Sequence, residues 1–135
     1  MRAAFLLFPA LFVAGVVQAD QTTDAKAAGA GRALYLQYCA SCHGTDGKGG
    51  GPAAAAQKTP PANLTTLPLK NGKFDEARVR TSIDGTQAAS AHGSRDMPVW
   101  GKVLSRGERR GAGAAQTDIW LLTEYIRSLQ APAKP

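Results

Sequence analysis

The sequence predicts an all-α chain: about three main helices joined by long loops rich in glycine and proline. Three observations predict it. "TDAKAAGAGRALYLQY" is rich in alanine, and Ala27, Ala28, Gly31, Leu34, Tyr35 and Tyr38 can share one helical face. "FDEARVRTSIDG" carries Asp75 and Glu76 in a first turn and Gly85 at an end, as the helix dipole and C-cap rules expect. Near the end of the chain, Ile119, Leu122, Ile126 and Leu129 recur at helical spacing, with Tyr125 beside them.

In chain order, "MRAAFLLFPALFVAGVVQAD" comes first. Arg2 precedes an apolar stretch from Ala3 to Val17, and Val17 and Ala19 are small enough for a cleavage site before Asp20. Residues 1–19 are therefore expected to be a cleaved signal peptide and residues 20–135 the mature domain, in the periplasm. The competing reading is an anchor helix, but the run falls short of the ~20 residues a membrane span needs. Helix one is then expected from about Asp24 to Tyr38, a middle helix within "FDEARVRTSIDG", and a last helix from about Thr117 or Asp118 to Leu129. The stretch Gly101–Gln116 reads as a glycine-rich basic loop, and the tail "APAKP" as frayed. No repeats and no second domain are apparent.

The 135 residues suffice for one small domain with a thin core, so a bound apolar group would supply what the few aromatic side chains do not. The net charge is +6, which suits acidic partners. No Lys/Arg run of five or more and no nucleic-acid motif accompanies it, so nucleic-acid binding is not expected.

Chemistry concentrates in "YCASCHG", Tyr38–Gly44. Cys39 and Cys42 are the only cysteines, and His43 is one of two histidines. A Cys39–Cys42 disulfide would close too small a loop to stabilise much, and a redox pair of that kind sits after a strand, which this segment does not resemble. Structural zinc would need four ligands, with His92 the only distant candidate. "GTDGKGGG" lacks the hydroxyl residue and the preceding strand of a phosphate loop. C-x-x-C-H is the attachment motif of c-type haem. Two thiols one helical turn apart can reach one porphyrin edge, and the adjacent imidazole then falls at the iron as proximal ligand.

The iron's second axial position has few candidates. Met1 leaves with the signal, so Met97 is the only mature methionine, 54 residues after His43. Pro98 restrains the backbone there and disfavours helix at Met97, which suits a ligand presented from an ordered loop. A lone methionine is commonly core filler. His92, in the polar loop "SAHGSRD", is the weaker alternative.

On "GRALYLQYCASCHG", "GTDGKGGGP" leading to "PPANLT", "HGSRDMPVWG" and "DIWLLTEYIRSLQ", the chain resembles the class I c-type cytochromes, of the small bacterial mono-haem kind. The resemblance spans roughly Ala28 to Gln130. It implies helices and loops wrapped around one covalently bound haem c. It also implies a close crossing of the first and last helices at Gly31, with Tyr35 and Tyr125 nearby. A backbone carbonyl at or near Pro52 would accept the His43 N–H. "PPANL" would cover a haem edge, and Asn63 and Trp100 have donors to offer a propionate.

The expected function is one-electron transport between a dehydrogenase or reductase and a terminal oxidase or other acceptor, with no substrate chemistry. Arg106, Arg109 and Arg110 would form a solvated loop or part of a docking surface for those redox partners. The alternatives are an electron-accepting subunit of a larger enzyme and a haem-based ligand sensor.

Overall fold

The computed structural model describes residues 18–85, 97–106 and 112–130. Residues 1–17 of the expected signal peptide, His92, Arg109, Arg110 and the "APAKP" tail lie outside them. Among the described residues there are three longer helices, α1 (Gln18–Tyr38), α3 (Glu76–Asp84) and α5 (Ala112–Ser128). Two short ones, α2 (Ala40–His43) and α4 (Trp100–Ser105), stand between them. The all-α expectation holds.

The centre of the fold is the crossing of α1 and α5. Ala27, Gly31 and Tyr35 recur every four residues on α1, and all three are buried. Ala115, Ile119, Leu122 and Ile126 form the matching buried stripe on α5. Gly31 is required there: a Cβ would fall on the Leu121 carbonyl oxygen. The Tyr35 and Tyr125 rings pack at the same crossing, centroids 5.0 Å apart and tilted by 53°. Edge-to-face aromatic pairs of this kind add to what their buried area contributes.

Helix α3 begins and ends on chemical signals. The Asp75 carboxylate accepts from the Arg78 N–H at 3.1 Å as N-cap, and Gly85 takes a left-handed φ of 81° as C-cap. Before it, Leu69–Lys70 pairs with Lys73–Phe74 in a two-stranded antiparallel hairpin. Its turn residues Asn71 and Gly72 have φ of 53° and 73°, the primed-turn geometry that Asn-Gly favours.

Two differences from the sequence reading concern glycine. Part of the expected loop from Gly101 onward is helix α4. There a Cβ on Gly101 would strike Asp84, so this glycine serves the close approach of α4 to α3. Helix α5 starts at Ala112 instead of near Thr117. Ala112, Ala114 and Ala115 are strong helix formers, and Gly113 costs only about 1 kcal/mol against them.

Candidate functional site

Cys39 is the joint between α1 and α2. Its N–H donates to the Tyr35 carbonyl at 2.8 Å, and its own carbonyl accepts from the His43 N–H at 2.9 Å. One continuous helical path thus carries Cys39, Cys42 and His43. The glycine-rich segment that follows folds back over this turn. The Gly49 N–H donates to the His43 carbonyl at 2.7 Å, Gly51 to Cys42 at 3.1 Å and Ala53 to Ser41 at 2.8 Å. These carbonyls end a four-residue helix and would otherwise lack partners. Gly51 is pressed so close to Ser41 that a Cβ would meet its carbonyl. Tyr35, fully buried, donates its hydroxyl to the Gly44 carbonyl at 2.6 Å.

The three motif side chains differ in setting. Cys39 is buried at 8% exposure, and burial, with the Cys42 thiol adding, pushes its thiol up to about 12. Cys42 is half-buried, with the Gln57 amide Nε2 3.7 Å from its sulfur. No disulfide joins them. His43 Nδ1 lies 3.0 Å from the Ala62 carbonyl oxygen. A carbonyl cannot donate, so Nδ1 carries the proton and Nε2 keeps the lone pair that a metal can take.

Cys39 and His43 open onto a cavity of about 290 Å³. Its apolar walls are Leu64, Leu67, Phe74, Val79, Ile83 and Ile126. Met97 lies in the same lining. From α3 and its cap come Asp75, Arg78 and Ser82, which with Val79 and Ile83 recur at i, i+3, i+4, i+7 and i+8 along one helical face.

The other expected contacts fall elsewhere. Pro52 is exposed and outside the lining, and the acceptor beside the His43 ring is Ala62. The segment after Pro60, not the one after Gly51, returns to the imidazole. Asn63 is turned into a local bend: its side-chain oxygen accepts from the Thr65 N–H at 2.9 Å and hydroxyl at 2.8 Å. Trp100 packs against Tyr38, ring centroids 5.4 Å apart and planes tilted by 54°, and is absent from the cavity wall. The sequence reading missed Arg78, whose signal was its position one helical turn after the Asp75 cap. Among the described residues no group of three or more His, Cys, Asp or Glu side chains gathers as a metal site, and no helix is long and apolar enough to cross a membrane.

The donor set fits a covalently held iron porphyrin: thiol and imidazole on one helical turn, a thioether across shared lining, and apolar walls for the macrocycle. An all-α fold built on this constellation is that of a class I c-type cytochrome. The profile of the family described as "Cytochrome C oxidase, cbb3-type, subunit III" matches residues 26–114, and the chain belongs to this family of c-type cytochrome domains. It therefore binds covalently attached haem c, and a cytochrome c domain implies electron transfer. Among solved structures, it is similar to a chain of the Kuenenia stuttgartiensis reducing HAO-like protein complex, with 26% identity and a TM-score of 0.56. That match covers 78% of this chain and 44% of the other, so this chain spans less than half the length of that relative. No curated protein matches the sequence.

Proposed function

We propose that the chain is an exported mono-haem electron carrier of the periplasm, its residues 1–19 a cleaved signal and 20–135 the cytochrome domain. Cys39 and Cys42 form the two thioether links. His43 is the proximal iron ligand and Met97 the distal one. The observation that carries the reading is the presence of both His43 and Met97 in the lining of one apolar cavity.

The haem supplies a one-electron couple at its iron. The protein's part is to hold and insulate it. The His43 Nδ1–H donates to Ala62, which orients the ring and leaves Nε2 to the iron. Met97, restrained by Pro98, would hold the iron as a second ligand and would favour a raised reduction potential. With His43 and Met97 both holding the iron, a substrate would have to displace one of them, which favours carriage over catalysis. Leu64, Phe74 and Ile83 exclude water. Arg78, the one Lys or Arg among the described residues of the lining, would take the part of propionate partner first expected of Asn63 and Trp100. Donor and acceptor are a dehydrogenase or reductase and a terminal oxidase or other acceptor.

A second reading, an electron-accepting subunit of a larger enzyme, is favoured by two descriptions: an oxidase subunit for the family and a complex for the structural neighbour. Stopped-flow electron exchange between the purified protein and oxidases or dehydrogenases of its own organism tests the carrier. Rapid exchange with a separately purified partner supports it. Failure with every candidate, together with stable co-purification in a larger enzyme, sinks it in favour of the subunit.

A further inference from the structure

The side chain of Gln130, just beyond α5, makes three hydrogen bonds. Its Nε2 donates to the Leu64 carbonyl at 2.6 Å and to the Ile126 carbonyl at 2.7 Å. Its Oε1 accepts from the Leu67 N–H at 3.2 Å. Two carbonyls on one end and an N–H on the other leave the amide a single orientation. The bonds to Leu64 and Leu67 cross 66 and 63 residues of sequence, so they tie a distant loop to the helix end.

That loop is the cavity wall. Leu64 and Leu67 both line the cavity, and the Leu64 N–H is anchored in turn on the Gly47 carbonyl at 2.7 Å. Two residues before Leu64 stands Ala62, whose carbonyl accepts from His43 Nδ1. The Asn63 bend to Thr65 stiffens the chain between these points. From Gln130 to the imidazole there is thus an unbroken run of backbone, with each end held by a named hydrogen bond.

We propose that Gln130 is a positioning residue for His43: it clamps the 62–67 segment to the end of α5 and so keeps the Ala62 carbonyl aligned on the imidazole N–H. The inference rests on the reading of His43 as the iron ligand. Among the described residues the Gln130 side chain hydrogen-bonds to backbone and not to the imidazole, so its action is on the direction and lifetime of one hydrogen bond.

The test uses the full-length protein, expressed with haem-attachment machinery and reduced. Solvent exchange of the His43 Nδ1 proton is measured by NMR, beside unfolding in guanidinium, for Gln130→Ala, Gln130→Glu and Ser128→Ala. Glutamate has the same shape and keeps an acceptor for Leu67, but its carboxylate loses both donor bonds. Among the described residues the Ser128 hydroxyl bonds to the Tyr125 carbonyl, at the same helix end, and Ser128→Ala serves as the control for stability alone. Both Gln130 variants should speed exchange by about tenfold or more, with Ser128→Ala within about twofold of wild type. Wild-type exchange in a folded Gln130 variant overturns the proposal, as does equal acceleration in Ser128→Ala. If the wild type itself lacks a low-spin His/Met spectrum, the ligand assignment has failed instead.

Discussion

The Tyr35 hydroxyl donates to the Gly44 carbonyl at 2.6 Å, and the two residues bracket the turn that carries Cys39, Cys42 and His43. Tyr35 is fully buried, so no water substitutes for it. Tyr35→Phe leaves the Gly44 carbonyl with only the longer bond from the Gly47 N–H at 3.3 Å, and it should cost about 0.5–1.5 kcal/mol in guanidinium unfolding. The haem spectrum should stay that of the wild type, since no ligand is touched.

Gly31→Ala tests the helix crossing. The added methyl would meet the Leu121 backbone, which cannot swing aside as a flexible side chain would. A loss of about 3 kcal/mol or more is expected, at the upper end of overpacking effects. Gly29→Ala, where nothing lies near the new methyl, should be neutral or stabilising. Equal stability of the two variants would contradict the observed approach of α1 to α5.

How much of this was legible beforehand varied by element. Helix α3 was, because Asp75 and Gly85 mark its ends chemically. Gly31 was, through the resemblance to class I c-type cytochromes, which implied a close crossing of the first and last helices there. The start of α5 was not: glycines between arginines read as loop, while the alanines among them propagate helix. Gly101 misled for a related reason, its use being close packing against Asp84. The hairpin at "LKNGKF" was not read: its Asn-Gly pair is a turn signal, but a strand pair of two residues each leaves no periodicity. For the site, spacing alone placed Cys39, Cys42 and His43 on one turn. It could not say whether the loop after Gly51 or the one after Pro60 returns to the imidazole, because that depends on tertiary clamps such as Gln130.

Glu124 gives the pH test. It is buried at 6% exposure, and desolvation raises its carboxyl above the ordinary range, against the opposing pull of Arg127 3.3 Å away. A raised folded-state value means that the folded protein binds this proton more tightly than the unfolded chain. Its contribution to stability is then full below the unfolded value and lost as pH rises through the folded one. Glu124→Gln removes that loss. The stability difference between variant and wild type, followed by guanidinium unfolding, should shift in the variant's favour as pH rises through the carboxylate range, and a difference independent of pH would contradict the assignment.

Arg78→Gln tests the cation in the cavity lining. Removing a positive charge beside the haem favours the oxidised, more positive state, so the midpoint potential should fall. Redox titration of the holoprotein reads it, with unfolding in guanidinium as the control for folding. An unchanged potential would place the Arg78 charge in solvent, away from the propionates.

Met97→His should keep a low-spin haem while lowering the potential by a sizeable fraction of the roughly 0.8 V that axial ligation spans. Met97→Ala should instead open the axial position to carbon monoxide. Potentiometry and carbon monoxide difference spectra check the pair.

The central claim is that His43 and Met97 close both axial positions of one covalent haem. The absorbance spectrum of the purified protein, oxidised and reduced, before and after carbon monoxide, tests it most directly. The account predicts a low-spin c-type spectrum, a sulfur-to-iron charge-transfer band in the oxidised state, and indifference to carbon monoxide. A high-spin spectrum, or one that carbon monoxide changes, would contradict it and turn the protein into a ligand-binding haem protein.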